Sequence, residues 1–336
     1  MKKHNQFICP KDNTPLQIEI IKGDQNHIVE GQFKSNNSDK VYPIEDDIIN
    51  LSYPEILPEE EQNIMNWYKN NYQVYDDYLP ITFDTFNVNE KEVRESMIDA
   101  LDIQPGDKVL ETGAGTGRDS EIIASRLGSE GEFHVTDIYS DILRLSKDKL
   151  NDCDPTIYHA IVNAIHLPYP DNYFDKYYHF GGWNTFSDKK KAFEEVNRVV
   201  KPGGKVIVGD ESMPEWLLGS DFANILINTN HHYAYPLPLK DMHHSSRNVS
   251  IQYLIGGVFY YISYDVGEGY PEANFEIPIP GSKGGTLNSR YWGKLEGVSE
   301  ATFNLVQKAI SRSGKSSFEW LDAAIKEAAQ EELKKC

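Results

Sequence analysis

Apolar and polar positions alternate along this chain in three successive patterns. Residues 1–57 contain short apolar runs separated by Asn, Asp, Gly and Ser, which is typical of small strands and turns. Residues 59–79 predict a helix rich in aromatic side chains. From about residue 104 to Asp210, short apolar runs alternate with amphipathic stretches of about ten residues. This alternation predicts βαβ units and a mainly parallel sheet covered by helices on both faces.

The pattern changes again after Asp210. Two alternating strands meet at Gly256–Gly257, which predicts a β-hairpin. A loop rich in Gly and Pro follows, and then two helices with apolar stripes, the second opening on a capping box from Ser316 to Glu319. We therefore expect an α/β protein with an α+β C-terminal extension. The predicted domains are a β-rich module over residues 1–57, an α/β domain over 58–265, and a loop with two helices over 266–336.

Composition narrows the classes of partner. The 336 residues carry a formal net charge of −19, which disfavours nucleic acid. No apolar run reaches the length of about 18 residues that a membrane span needs. The three cysteines (Cys9, Cys153 and Cys336) are distant in sequence and odd in number, so we expect a reducing, cytoplasmic location without a disulfide framework.

The stretch "VLETGAGTGRDS" (109–120) places three glycines between a predicted strand and a predicted helix. Such a turn brings backbone N–H groups close to a ligand at the positive end of a helix. A nucleoside triphosphate loop would need a Lys-Ser/Thr pair after the glycines, and none follows. A dinucleotide loop would have a third glycine where Arg118 stands. The loop alone therefore fits neither phosphate-binding pattern.

Two residues after the following strands extend the pattern. Asp137 ends the next predicted strand, about twenty residues on, where a carboxylate can accept hydrogen bonds from both hydroxyls of a ribose. Asp137 by itself does not exclude a nicotinamide dinucleotide. Asn163 follows the third strand, where its side chain and the backbone of Ala164 could contact the edge of an adenine.

Taken together, "ETGAGTG", "VTDIYSDIL", "NAIHLPYPDNYFD" and "EEVNRVVKPGGKVIV" resemble class I S-adenosylmethionine-dependent methyltransferases. The resemblance is greatest to the quinone-biosynthesis and arsenite methyltransferase branch, and it covers roughly residues 65–210. It implies a Rossmann-like sheet of seven strands, S-adenosylmethionine as cofactor and S-adenosylhomocysteine as product. The cofactor-binding residues it implies are Tyr75, Glu111, Gly113, Ala114, Gly115, Gly117, Asp137, Ile138, Asn163, Ala164 and Phe180.

The resemblance also places the end of the fourth strand beside the transferred methyl group. His179 is the candidate general base there, with Trp183 and Asn184 as candidate substrate contacts. His231, His243 and Arg290 are further candidate substrate contacts, taken from two histidine pairs and a Gly-rich loop. Adjacent histidines usually point in different directions, so we predict no metal site.

The stretch beginning "FICPKDNTPL" resembles a small zinc-ribbon-like module found ahead of some methyltransferases, including rRNA guanine methyltransferases. That module begins Cys-Pro-x-Cys, whereas Asp12 stands at the position of the second cysteine here. Four thiolate ligands are therefore not available, and we expect a metal-free module.

The sequence thus predicts methyl transfer to a small-molecule acceptor by in-line displacement. A base methyltransferase acting on rRNA or tRNA is an alternative, favoured only by the N-terminal module. A cofactor-binding regulatory subunit without transfer activity is another, since the apolar stripes of the C-terminal helices could pair with another chain. A homodimer is one such pairing. Arsenite is disfavoured as the acceptor, because three distant cysteines would have to converge.

Overall fold

The computed structural model describes residue 4 and residues 6–37, 39–280, 285–292 and 298–335. The strands are β1 (Leu16–Gly23), β2 (Ile28–Ser35), β3 (Val41–Glu45), β4 (Ile48–Asn50), β5 (Lys108–Thr112), β6 (Glu132–Asp137), β7 (Thr156–Ile161), β8 (Phe174–Phe180), β9 (Val200–Glu211), β10 (Ser246–Leu254) and β11 (Phe259–Val266). The helices are α1 (Glu59–Thr85), α2 (Glu90–Ala100), α3 (Arg118–Leu127), α4 (Ser140–Lys149), α5 (Lys189–Val199), α6 (Asp221–Thr229), α7 (Leu287–Trp292), α8 (Glu300–Ser313) and α9 (Ser317–Leu333).

Seven of the strands form the predicted α/β sheet, in the order β7-β6-β5-β8-β9-β11-β10. The strands from β7 to β9 run parallel to one another, while β11 lies antiparallel between β9 and β10. Residues 109–112 of β5 are all buried, as expected of a strand covered on both faces. Because the parallel strands share one direction, their carboxyl ends and the loops after them meet at one edge of the sheet.

The N-terminal strands continue this sheet instead of forming a module apart from it. Strands β1 to β4 form an antiparallel series, and β4 then pairs in parallel with β7, with Ile49 opposite Ala160. The described sheet therefore has eleven strands where the sequence predicted seven, and residues 1–271 form one compact unit. The predicted boundary at residue 57 does not separate two sheets, because an unpaired edge of β7 is completed by backbone hydrogen bonds from β4.

Residues 272–336 form a second compact unit. Its described residues contain the helices α7, α8 and α9 and no strand, where the sequence predicted a loop and two helices over residues 266–336. Helix α9 begins at the expected capping box, in which Ser316 and Glu319 exchange side-chain and backbone hydrogen bonds. The predicted hairpin belongs to the first unit, as β10 and β11.

The N-terminal cysteine takes part in packing. Cys9 is buried in the core, and its Sγ lies 3.2 Å from the hydroxyl of Tyr42. Among the described residues, no group of three or more His, Cys, Asp and Glu side chains is arranged to hold a metal ion. Cys336 lies outside the described residues. None of the described helices is both long and apolar enough to cross a membrane.

Candidate functional site

The glycine loop connects the end of β5 to the start of α3. Gly113 and Gly117 have φ angles of +66° and +83°, a region that favours glycine. Space is restricted as well, since a Cβ atom on Gly113 would lie 2.9 Å from Cε1 of His179. A Cβ atom on Gly117 would lie 2.9 Å from Oγ and 3.0 Å from Cα of Ser146 in α4. Both positions therefore require glycine for backbone conformation and for close packing.

Replacing Gly117 with alanine is expected to lower the free energy of unfolding by about 2 kcal/mol. Alanine is strained at this positive φ, and its Cβ atom would also push Ser146 and helix α4 away from the loop. Thermal unfolding followed by circular dichroism measures this loss. Gly219→Ala is the matched control, since Gly219 has a φ of +80° with nothing within 4 Å of its Cβ position. Equal destabilisation by the two substitutions would contradict a role for the contact with Ser146.

Asp137 lies at the carboxyl end of β6, beside the glycine loop. Its Oδ2 accepts a hydrogen bond from the backbone N–H of Gly115 at 2.9 Å, and its Oδ1 accepts one from the N–H of Tyr139 at 2.9 Å. Burial raises the pKa of this carboxyl. The side chain thus fixes the glycine loop against the end of the neighbouring strand.

Asn163 follows β7 and is buried. Its Oδ1 accepts a hydrogen bond from the backbone N–H of Ile165 at 3.1 Å. Its Nδ2 has no hydrogen-bond partner among the described residues. The amide therefore offers a buried donor, which suits a ring nitrogen at the edge of a purine.

These residues meet around one depression at the carboxyl edge of the sheet, which we call the glycine-loop cavity. The predicted site residues that line it are Gly113, Gly115, Asp137, Ile138, Asn163, Ala164, His179 and Phe180. Sequence reasoning missed Tyr68, Thr112 and Tyr139, which also line it. Thr112 and Tyr139 could have been found, because Thr112 ends β5 and Tyr139 stands two residues after Asp137. Tyr68 comes from α1, the helix that also carries the predicted cofactor residue Tyr75.

Other predicted cofactor residues lie outside the glycine-loop cavity. Glu111 is buried beneath the loop, where its Oε2 accepts a hydrogen bond from Ser120 at 2.6 Å. Gly117 packs on α4, as described above. The side chain of Tyr75 lies outside the described residues. The predicted role of each in cofactor binding stays a prediction.

The predicted substrate residues of the first compact unit line neither the glycine-loop cavity nor the second cavity described below. Trp183 and Asn184 are buried behind the cavity, and the Nδ2 of Asn184 donates to the backbone oxygen of Glu211 at 2.7 Å. His231 and His243 line neither this cavity nor the one described below. Arg290 is exposed on α7 of the second unit. Their positions come from loop and helix packing that the local sequence does not encode.

His179 is held at the end of β8 in an apolar setting. Its Nδ1 lies 2.9 Å from Oγ1 of Thr112, and Trp183 and Phe186 pack against its ring. Burial lowers the pKa of His179 to about 4, so the imidazole is neutral at pH 7. An imidazole with so low a pKa is a weak base, which argues against the predicted general-base role.

Arg118, which stands where a dinucleotide loop would have glycine, binds helix α1. Its Nε donates to Oδ1 of Asp76 at 3.0 Å, and its Nη1 donates to Oε1 of Glu90 at 3.1 Å. Thr116 also donates to Asp76, at 2.7 Å. The guanidinium therefore joins α1 to the glycine loop.

A second depression lies on the other side of the loop, and we call it the Phe259 cavity. It has a volume of about 420 Å³, within the range of small-ligand sites. The residues that it shares with the glycine-loop cavity are Gly113, Gly115, Thr116, Phe180 and Gly181. Ala114, a predicted cofactor residue, lines this side. So does Glu211, which sequence reasoning missed although it ends β9 at the same edge of the sheet.

Comparison with known proteins finds similarity to methyltransferases. The model of the ubiE/COQ5 methyltransferase family matches residues 59–225, just under half of the chain. Over 106 residues the chain is 41% identical to ubiquinone/menaquinone biosynthesis C-methyltransferase UbiE of Cupriavidus pinatubonensis, covering 32% of this chain and 44% of that protein. The protein of the same name from Chromobacterium violaceum is 41% identical over 106 residues, 32% of this chain and 43% of its own. The chain thus matches less than half the length of these relatives.

Solved structures that resemble this one include phosphoethanolamine N-methyltransferase 2 of Haemonchus contortus with S-adenosyl-L-methionine. That structure has a TM-score of 0.48 and 13% identity, covering 64% of this chain and 62% of the other. Geranyl diphosphate C-methyltransferase of Streptomyces coelicolor has a TM-score of 0.42 and 14% identity, covering 53% and 75%. The family match begins at residue 59 and so does not include strands β1 to β4.

Proposed function

We propose, from the premise that residues 59–225 form a class I S-adenosylmethionine-dependent methyltransferase domain, that this protein transfers a methyl group to a small-molecule acceptor. The match to the ubiE/COQ5 family model and the identity to C-methyltransferases support that premise. When bound, the cofactor would supply a methyl group on a positively charged sulfur. An acceptor atom in line with the carbon–sulfur bond would bond to the methyl carbon as that bond breaks, which leaves S-adenosylhomocysteine.

The charge of the glycine-loop cavity carries the proposal. The described residues that line it include two carboxylic side chains, Glu61 and Asp137, and no Lys or Arg. The guanidinium of Arg118 binds Asp76 and Glu90 instead. An acidic lining without a cation disfavours the phosphates of a dinucleotide and suits a cofactor that carries an ammonium and a sulfonium group.

Different residues of this cavity suit different parts of the cofactor. Asp137 is positioned for the ribose hydroxyls, since each of its oxygens keeps one acceptor site beyond its bond to the backbone. The free donor of Asn163 suits the purine. Tyr68 and Tyr139, whose ring centroids are 5.2 Å apart, present aromatic faces that attract a cation. The neutral His179 shapes the wall beside Gly113 and excludes water.

A small organic molecule is the acceptor class that we propose. The net charge of −19 opposes binding to a phosphate backbone. The names of the relatives describe C-methylation in ubiquinone and menaquinone biosynthesis, which involves small molecules.

Isothermal titration calorimetry with S-adenosylhomocysteine tests the cofactor assignment. We expect one molecule bound per chain, with NAD giving no heat of binding under the same conditions. An intact protein that binds NAD and not S-adenosylhomocysteine would refute the proposal.

The acceptor class has its own test. A filter-binding titration with RNA at low salt should give no retained complex. Tight binding that weakens steeply as salt increases would favour an RNA base methyltransferase instead.

A further inference from the structure

The Phe259 cavity is walled mainly by apolar side chains from four elements. Phe83 comes from α1 and Ile225 from α6, while Tyr233 and Phe259 come from the segment after α6 and from β11. Phe83, Tyr233 and Phe259 are each at most 8% exposed and belong to one packed cluster. These walls fit an apolar body of small-molecule size.

The two arginines that line the cavity are already neutralised. Arg94 donates to Glu90 at 2.8 Å and to Asp119 at 2.8 Å. Arg118 is bound to Asp76 and Glu90, as described above. An anionic ligand would therefore find no unpaired guanidinium among the described lining residues, so the cavity favours an uncharged ligand.

Glu211 differs from the other charged residues of this lining. It forms no ion pair among the described residues. Its carboxyl group contacts the side chain of Asp210, and Nδ2 of Asn230 lies at a long 3.5 Å from its Oε1. Its backbone is held on both sides, by Asp210 Oδ1 at the N–H and by Asn184 at the carbonyl oxygen. Burial and the neighbouring Asp210 raise the pKa of Glu211 well above its usual range.

We infer that the Phe259 cavity receives the methyl acceptor and that Glu211 orients it by a hydrogen bond to a hydroxyl or amino group of that acceptor. This inference rests on the proposed function, because the cavity meets the glycine-loop cavity at Gly113, Gly115 and Phe180. A carboxyl oxygen accepts a hydrogen bond from such a group, and the apolar walls exclude competing water. Glu211 is thus a specificity-determining residue, which favours acceptors with one protic group on an apolar body.

Binding of two matched probes tests this role. 1-Naphthol and naphthalene share one ring system and differ by a hydroxyl group, and fluorescence titration measures their binding to the full chain saturated with S-adenosylhomocysteine. For Glu211→Ala we expect about tenfold weaker binding of 1-naphthol and an unchanged affinity for naphthalene. Glu211→Gln, which keeps a donor and an acceptor, should bind 1-naphthol within threefold of the unsubstituted protein. Glu215→Ala, on a nearby exposed carboxylate, is the control and should change neither affinity.

Each other outcome overturns the inference. An equal loss of affinity for both probes in Glu211→Ala would indicate altered packing. An unchanged affinity for 1-naphthol would show that Glu211 forms no hydrogen bond with the hydroxyl group. A Gln variant as weak as the Ala variant, or a native chain that binds no 1-naphthol, would have the same consequence. Calorimetry with S-adenosylhomocysteine on every variant separates this result from the proposed function, which requires that the cofactor product itself binds.

Discussion

Replacing Asp137 with asparagine is expected to weaken the binding of S-adenosylhomocysteine by about a hundredfold. Each carboxylate oxygen accepts a backbone N–H, from Gly115 and from Tyr139. An amide group would turn one of these acceptors into a donor that faces another donor. The glycine loop would then lose its connection to β6, and a hydrogen bond to the ribose would be lost as well. Isothermal titration calorimetry measures the affinity.

The matched control is Asp148→Asn, which makes the same chemical change on the exposed face of α4. It should leave the affinity unchanged. Thermal unfolding of both variants shows whether the Asp137 variant is still folded. A folded Asp137→Asn protein with native affinity would contradict the assigned role of this carboxylate.

Replacing Glu111 with glutamine is expected to stabilise the protein increasingly as the pH rises from 5 to 8. Burial, and then the charge of Asp119, raise the pKa of Glu111 to about 8. The folded state therefore binds more protons at this residue than the unfolded state, whose carboxyl titrates near pH 4.5. The folded state must either hold the proton or bury a charge, so stability falls with rising pH. Between pH 5 and pH 8, this titration lowers the free energy of unfolding by about 3 kcal/mol. The glutamine variant does not titrate and so does not show this decrease.

Urea unfolding at pH 5, 6, 7 and 8 measures the difference between the two proteins. Glu121→Gln, on the exposed face of α3, is the control and should follow the native pH dependence. A constant difference between Glu111→Gln and the native protein across the four pH values would show that Glu111 does not titrate in this window.

The α/β part of the fold could be predicted from sequence because each element there has its own periodic signal. The stretch "FDKYYHF" coincides with β8, and the loop glycines separate β5 from α3 at the expected place. The pairing of β4 with β7 could not be predicted, since no local pattern encodes which strand completes a distant edge. Helix α6 begins at Asp221, where Ser220 caps it, after a short 3-10 helix over Glu215–Leu217.

Some residues of the candidate site could likewise be predicted from sequence, and others could not. Asp137 and Asn163 could be found because they follow strands directly, and the carboxyl ends of parallel strands meet. Glu211 satisfies the same rule but lies at the end of a strand whose resemblance to the family ends at Asp210. His179 was identified by position, whereas its low pKa depends on the rings of Trp183 and Phe186, which pack around it from the segment after β8. Burial of that kind is set by tertiary packing.

The parallel pairing of β4 with β7 also constrains how the chain acquires its structure during synthesis. Ile48 and its partner His159 are about 110 residues apart in sequence, so the N-terminal strands wait for β5, β6 and β7 to emerge from the ribosome. Loop closure over such a distance is slow compared with forming a hairpin. During that interval β1 to β4 expose an apolar face, whose members include Ile28, Phe33 and Ile44 in the finished protein's core. Nascent chains shorter than about 160 residues should therefore be the species most prone to aggregate and most dependent on chaperones.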